Sequence, residues 1–412
     1  MIEAMPHQIE KAEECWVHLQ DKGYVYLAGK PRSGKTLTAI LVCEKTSDRI
    51  KNILVLTKIN AIPGWTKFIE GYPVKKKYTV LNYEKLGSAK EDKSKWYITL
   101  KVNPQDFDLV IIDESHNIGA FPKPSGRWRV IRKVCENLPH IHLSGTAIVE
   151  SPNSIFHQMC ISKYKPFYHD NFYKFFSEWG KPYCIQAAGR MIQQYDKYQP
   201  ELLDEIDKFT VYMTQEDAGI SADLQAQDQV HYVTLEEETK DVYNYLQKNS
   251  IVYVEGLPKP IVGDSTMKLR VSLHMVESGV AKIGEEYFLL GNTEKVDYIK
   301  NTFGDHEGLG IMCHFLGERK LLEQYFKKAK IYSSNAHSEG VDLSHLSSFV
   351  ILSSDYSGAK FIQRRERIVN VNGSNTLKVH HILVKNAISE QVYKRVSKKE
   401  DFNNETYKRT EV

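Results

Sequence analysis

The segment from Tyr24 to Leu37 constrains the fold more than any other part of the chain. A short apolar run, Tyr24-Val25-Tyr26-Leu27-Ala28, leads into Gly29-Lys30-Pro31-Arg32-Ser33-Gly34-Lys35-Thr36. A second apolar stretch with Leu37, Ala39, Ile40 and Val42 at helical spacing comes directly after it. The middle eight residues fit G-x-x-x-x-G-K-[ST], placed between a strand and a helix as that pattern requires. Glycines let the backbone curl, and the amides of a helix start, with the helix dipole behind them, favour a phosphate group inside the curl. Gly29, Pro31, Arg32, Ser33, Gly34, Lys35 and Thr36 are therefore candidate contacts to ATP. Lys35 is expected at the β- and γ-phosphates and the Thr36 hydroxyl on Mg²⁺.

The same architecture continues along the chain. Ile53-Leu54-Val55-Leu56-Thr57, Leu109-Val110-Ile111-Ile112-Asp113 and Ile141-His142-Leu143-Ser144 are continuous, β-rich apolar runs separated by polar or helical stretches. Such runs are the signature of a parallel sheet covered on both faces. A doubly wound α/β domain is expected over 1–151. From Pro152 the text becomes aromatic, with Phe172, Tyr173, Phe175, Phe176 and Trp179 at helical spacing. This predicts a helical insertion over 152–285, a candidate wedge through those aromatics. Strand-like runs return at Leu309–Cys313, Phe349–Leu352 and Val379–Val384, predicting a second α/β domain over 286–412.

Asp113-Glu114-Ser115-His116 closes the third run, so its first carboxylate should sit at the carboxyl end of a strand, the edge where open α/β sheets bind ligands. Asp113 is the candidate Mg²⁺ holder, through water, and Glu114 the candidate base for an attacking water.

Composition sets outer limits. With 412 residues, 42% hydrophobic and 26% charged, the chain is long enough for two ordinary domains and average enough to be globular. A net charge of +3 does not by itself argue for nucleic acid, although Lys and Arg gather in Lys75–Lys77, Arg127–Lys133 and the last quarter. The six cysteines have no metal-ligand or paired spacing and read as free thiols of a reducing compartment. No apolar run is long enough for a membrane span, and Met1–Pro6 has no signal-peptide pattern, so a cytoplasmic setting in a bacterial or infected host cell is expected.

Taken together, the phosphate loop, the D-E-S-H box and Ser144-Gly145-Thr146-Ala147 resemble motifs I, II and III of superfamily-2 helicases. Ser338-Glu339-Gly340-Val341-Asp342-Leu343 resembles motif V, and Gln363-Arg364-Arg365-Glu366-Arg367 resembles motif VI. Within that superfamily the chain is similar to the Snf-type branch, which includes small phage-encoded DNA helicases of the branch-migration type. Val80-Leu81-Asn82-Tyr83-Glu84, the segment Phe209–Asp217 and Met267-Lys268-Leu269-Arg270 carry that closer likeness.

The resemblance implies two RecA-like domains around one ATP, with Gln8 as an adenine contact and Gly340, Asp342 and Gln363 on the nucleotide. Arg364 and Arg367 are alternative arginine fingers. Asn370 stands where relatives often have a further arginine. The resemblance also implies Ser144 and Thr146 as coupling residues, and nucleic-acid contacts at Thr57, Lys58, Asn82, Tyr83, His314, Phe315 and Ser338. The expected activity is a DNA-dependent ATPase that translocates on and remodels forked or branched DNA as a monomer. The alternatives are an RNA helicase and a partner-dependent phosphate-loop ATPase.

Overall fold

The computed structural model describes residues 2–93, 95–145, 151–187, 190–219, 227–334, 346–358, 361, 378–398, 402 and 407–408. The chain divides into two units, Met1–Ile220 and Ser221–Val412. Thr146, Ser338, Gly340, Asp342, Gln363, Arg364, Arg367 and Asn370 lie outside the described residues.

In the first unit, helix α1 (Pro6–Lys22) leads into strand β1 (Tyr24–Gly29), helix α2 (Lys35–Lys45), β2 (Asn52–Thr57), α3 (Ile62–Gly71) and β3 (Lys77–Asn82). An antiparallel ribbon, β4 (Gly87–Asp92) and β5 (Lys95–Leu100), comes next, then β6 (Leu109–Asp113), α4 (Gly126–Cys135) and β7 (His140–Ser144). After α5 (Ile155–Met159) and α6 (Phe172–Trp179) come a second ribbon, β8 (Tyr183–Ala187) with β9 (Arg190–Gln194), α7 (Glu201–Asp207) and β10 (Thr210–Met213).

Six strands make one parallel sheet in the order β10-β1-β7-β6-β2-β3. Alternation along the strands explains why both faces are covered. Ile53, Val55, Leu109 and Ile111 pack with Ala39, Ile40 and Val42 of α2 and Trp65 of α3. Their neighbours Leu54, Leu56, Val110 and Ile112 pack on the opposite side with Trp128 and Ile131 of α4.

The second unit holds β11 (Gln227–Val233), α8 (Glu237–Asn249), the short pair β12 (Ile251–Val252) and β13 (Ile261–Val262), and α9 (Thr266–Val276). It continues with the ribbon β14 (Val280–Ile283) and β15 (Glu286–Leu289), α10 (Glu294–Phe303), β16 (Leu309–Cys313), α11 (Leu316–Tyr325) and β17 (Lys330–Ser333). The last described elements are β18 (Ser348–Ile351), β19 (Lys378–Val384) and α12 (Ile388–Val396). Its parallel five-stranded sheet runs β11-β19-β18-β16-β17.

The apolar runs in the sequence form the inner strands of both sheets, β1, β7, β6 and β2 in the first and β19, β18 and β16 in the second. The stretch 152–285 differs from a plain helical insertion. β10 extends the first sheet beside β1, and β11 forms an edge of the second. Phe172, Phe175 and Phe176 are buried with Phe156, Phe167 and Phe209. The three α6 phenylalanines fill a core with α5 and Tyr26 of β1 and do not present a wedge, because a packed helix turns its apolar stripe inward; Tyr173 alone of the stripe's rings is exposed.

Candidate functional site

The loop after β1 is held in a curl by local geometry. Gly34, the residue before α2, has φ 94°, and Arg32 has φ 66°. A methyl group on Gly34 would stand 2.0 Å from Gln8 Nε2, and one on Gly29 would stand 2.4 Å from Lys35 Cγ. At Gly34 the left-handed backbone favours glycine, and a side chain at Gly29 would displace Lys35 and Ser33. Lys35, the first residue of α2, turns its ammonium back into the curl, donating to the Gly29 carbonyl at 2.5 Å and the Lys30 carbonyl at 3.2 Å. Ser33 is fully buried beside it, and its hydroxyl has no partner among the described residues. A buried hydroxyl without a protein partner is a donor able to meet an oxygen held in the curl.

The curl is braced from both neighbouring elements. From α1, His7 Nε2 lies 2.9 Å from the Ser33 carbonyl, and Gln8 Nε2 donates to the Gly34 carbonyl at 3.4 Å. Gln8 Oε1 accepts the amide of Met5 at 2.9 Å, so both ends of the amide are engaged in bracing the loop and closing the helix start. After β10, Gln215 Nε2 donates to the Pro31 carbonyl at 3.2 Å. Thr214 and Asp217 cap each other's amides at 3.1 and 2.7 Å around that glutamine. The segment Phe209–Asp217 thus reaches the curl after β1 through Gln215.

At the end of β6, Asp113 Oδ2 accepts the Thr57 hydroxyl at 2.8 Å and the Trp65 indole N–H at 3.0 Å. The Tyr83 hydroxyl donates to the Asp113 carbonyl. Glu114 follows in the left-handed region, φ 50° and ψ 50°, which is uncommon for a side-chain-bearing residue and is concentrated at functional positions. Its carboxylate Oε2 lies 3.4 Å from His116 Nδ1, and the same nitrogen lies 3.0 Å from the Ser144 hydroxyl at the end of β7. Ser115 points the other way, its hydroxyl 2.9 Å from the Tyr26 hydroxyl and 3.1 Å from Gln158 Oε1 in the interior. The box therefore keeps its two acids and His116 at the sheet edge and sends one anchor, Ser115, beneath it.

No family model matches the sequence, and no curated protein matches it. The geometry is thus the basis for a functional reading.

Residues able to hold a polyphosphate are the loop amides, Lys35 and Ser33. Those able to hold a hard cation are the Thr36 hydroxyl and the Asp113 carboxylate, both oxygen donors. Among the described residues no group of three or more His, Cys, Asp or Glu side chains could hold a metal ion. A cation at Thr36 and Asp113 would therefore share phosphate oxygens and water, as Mg²⁺ commonly does.

Several nucleic-acid expectations change. The Thr57 side chain is fully buried and serves Asp113; Tyr83 is buried and serves the Asp113 backbone. Phe315 is buried in the second unit's core. Strand alternation turns Thr57 onto the helix-covered face with Ile53 and Val55, which is why its side chain cannot meet a strand of nucleic acid. Lys58 is partly exposed, and Asn82 bonds Glu84 at 3.2 Å. His314 is half-buried, with Nδ1 2.7 Å from the Ser334 hydroxyl. Trp65, His116, His7 and Gln215 carry site geometry without having been singled out from sequence. Trp65 had a readable signal, since an indole N–H on an apolar helix must find an acceptor when buried.

The described helices include none long and apolar enough to cross a membrane.

Proposed function

We propose that the chain is an ATP-hydrolysing motor of two RecA-like domains that moves on DNA and remodels forked or branched DNA. The observation that carries the hydrolysis reading is the convergence at one sheet edge. The phosphate loop follows β1, and at the end of β6 stands an Asp–Glu pair whose aspartate is oriented by side chains from β2 and α3. What supports a motor is the path from Glu114 through His116 to Ser144, which ties a hydrolytic acid to a second strand end.

In this reading Lys35 leaves its loop carbonyls to neutralise phosphate oxygens. Thr36 and Asp113 would hold Mg²⁺, which when bound would supply charge neutralisation to the phosphates. Glu114 accepts the proton of the attacking water, and the water oxygen takes the γ-phosphoryl group while ADP leaves. The gain of that proton removes the negative charge facing His116 Nδ1 and shifts that nitrogen's hydrogen bond toward Ser144. The resemblance assigns Arg364 or Arg367 to balancing charge on the transferring group, and Gly340, Asp342 and Gln363 to nucleotide contacts. Lys58 and Ser338 remain candidate backbone contacts, and Thr146 a candidate coupling residue.

The test is steady-state ATP hydrolysis by wild type and Glu114→Gln, without polymer and with single-stranded, duplex and branched DNA and RNA. DNA should stimulate the rate, most strongly on branched forms. The substitution should lower it roughly a thousandfold. Hydrolysis indifferent to every polymer would overturn the motor reading, and stimulation by RNA alone would replace DNA as the track.

A further inference from the structure

The ribbon β4–β5 is not required by the nucleotide site, yet it is firmly built. A two-stranded ribbon is marginal on its own and needs a surface to pack on. Residues opposite one another share a face, and the pairs Gly87/Leu100, Ala89/Ile98 and Glu91/Trp96 define the face turned toward α4. Arg129 of α4 lies over the Trp96 ring at 4.6 Å. A methyl group on Gly126 would come within 3.2 Å of that ring and 3.5 Å of Ala89. The ribbon is thereby clamped to the first turn of α4. Its root is the segment Asn82–Leu86, where Tyr83 holds the Asp113 carbonyl and Arg127 stacks over Tyr83 at 5.2 Å.

The other face carries the pairs Ser88/Thr99, Lys90/Tyr97 and Asp92/Lys95, every one exposed. Tyr97 is 59% exposed. Although Asp92 faces Lys95, neither Lys90 nor Lys95 makes an ion pair among the described residues. Lysines on an open ribbon guard against edge-to-edge aggregation. That role does not account for a large aromatic ring placed between them, since an exposed ring works against solubility. Two ammonium groups flanking a flat ring, with hydroxyls one pair further on, match what one strand of nucleic acid offers. Its phosphates meet the lysines, a base meets the ring, and its sugar–phosphate oxygens meet the hydroxyls. A duplex keeps its bases stacked on each other, so the ring selects an unpaired strand.

We infer that the outer face of this ribbon is a binding site for single-stranded DNA, with Tyr97 stacking on a base and Lys90 and Lys95 on phosphates. The inference rests on the motor reading and adds to it a grip on unpaired strand beside the first sheet.

The experiment is fluorescence anisotropy of the full chain with a labelled single strand and with a duplex of the same length, over a range of salt, paired with ATP hydrolysis. Tyr97→Ala should weaken single-strand binding about tenfold and Tyr97→Phe should retain it, because stacking needs the ring and not the hydroxyl. Lys90→Ala with Lys95→Ala should lower the slope of log K against log salt by about 1.4, or ~0.7 for each phosphate contact. Hydrolysis without polymer should be unchanged in all three. Wild type that binds and is stimulated by DNA, with Tyr97→Ala equal to it, would overturn the ribbon site and leave the motor reading intact. Equal weakening of single strand and duplex would overturn the stacked-base assignment. Wild type that neither binds nor responds to any polymer would overturn the motor reading and the ribbon site with it.

Discussion

Each sheet sets a carboxylate near its carboxyl edge, and the two are treated differently. Glu318 in the second unit is fully buried and accepts the amides of His314 and Phe315, each at 3.0 Å, and the Ser353 hydroxyl at 2.5 Å. Two of those donors belong to the start of its own helix, α11, so the acid closes that helix. Burial still pushes its carboxyl above the usual glutamate range. Asp113 in the first unit is partly exposed and receives side-chain donors from two other elements, Thr57 of β2 and Trp65 of α3. An acid that serves its own helix start is consumed by structure. One aimed by neighbouring elements, and left open on one side, is prepared to act on something else.

The largest expected effect breaks this comparison directly. Asp113→Asn should lower the proposed hydrolysis by about a thousandfold, ~4 kcal/mol of transition-state stabilisation, with thermal melting unchanged. Glu318→Gln should do the reverse, sparing kcat and lowering the melting temperature. Equal loss of activity in both would mean that the second acid is also part of the chemistry.

The second unit holds a further buried charge pair, Lys295 with Glu277 at 3.0 Å, both essentially inaccessible. Burial outweighs the lysine and raises the Glu277 carboxyl. Lys295→Met should cost about 3 kcal/mol in urea unfolding by stranding that carboxylate, and adding Glu277→Leu should restore most of it. No recovery in the double variant would show that the pair is needed for shape and not only for charge balance.

Acid should separate the units next. In the first, burial holds His140 and His157 down at about 4 and His142 well below its usual value. A histidine depressed in the folded state binds fewer protons there than in the unfolded chain. Its contribution is therefore complete above about pH 6.5 and lost as pH falls toward 4, on the order of 1 kcal/mol per pH unit for each group. The second unit has depressed histidines too, at His274 and His380. Its raised acids Glu277 and Glu318 work in the opposite direction, their stabilisation being present at low pH and lost as pH rises. The chain's five tryptophans, Trp16, Trp65, Trp96, Trp128 and Trp179, all belong to the first unit. Denaturant unfolding followed by tryptophan fluorescence should weaken between pH 6.5 and 4.5, and His142→Leu should flatten that dependence. A flat wild-type profile would mean that the His140–His142 pair is open to solvent protons.

The sequence made the glycine curl between β1 and α2 and the central strands legible because both depend on local text: glycine positions, and apolar runs bounded by polar residues. The edge strands were harder. Thr210–Met213 is short and half polar, and only its pairing with Tyr26–Gly29 makes it a strand of the sheet. Thr57 illustrates a different limit. The resemblance implies a nucleic-acid contact there, whereas the period-two alternation from Ile53 and Val55 turns it inward, where Asp113 accepts its hydroxyl. Trp65 and His116 act through partners distant in sequence, so residue type alone could not assign them.

The smallest effect concerns how Asp113 is aimed. Thr57→Val and Trp65→Phe each remove one donor from the same oxygen, Oδ2, while keeping most of the buried volume. A hydrogen bond to a charged group contributes about 1.5–3 kcal/mol, and part of that is recovered when water can take the donor's place. Each variant should therefore lower kcat about tenfold and raise the Mg²⁺ concentration needed for half the maximal rate. Because both donors fix one carboxylate, the double variant should lose less than the product of the two. Losses that multiply would mean that each donor acts separately, and the orientation of Asp113 would then be set by the backbone, through the Tyr83 hydroxyl on its carbonyl.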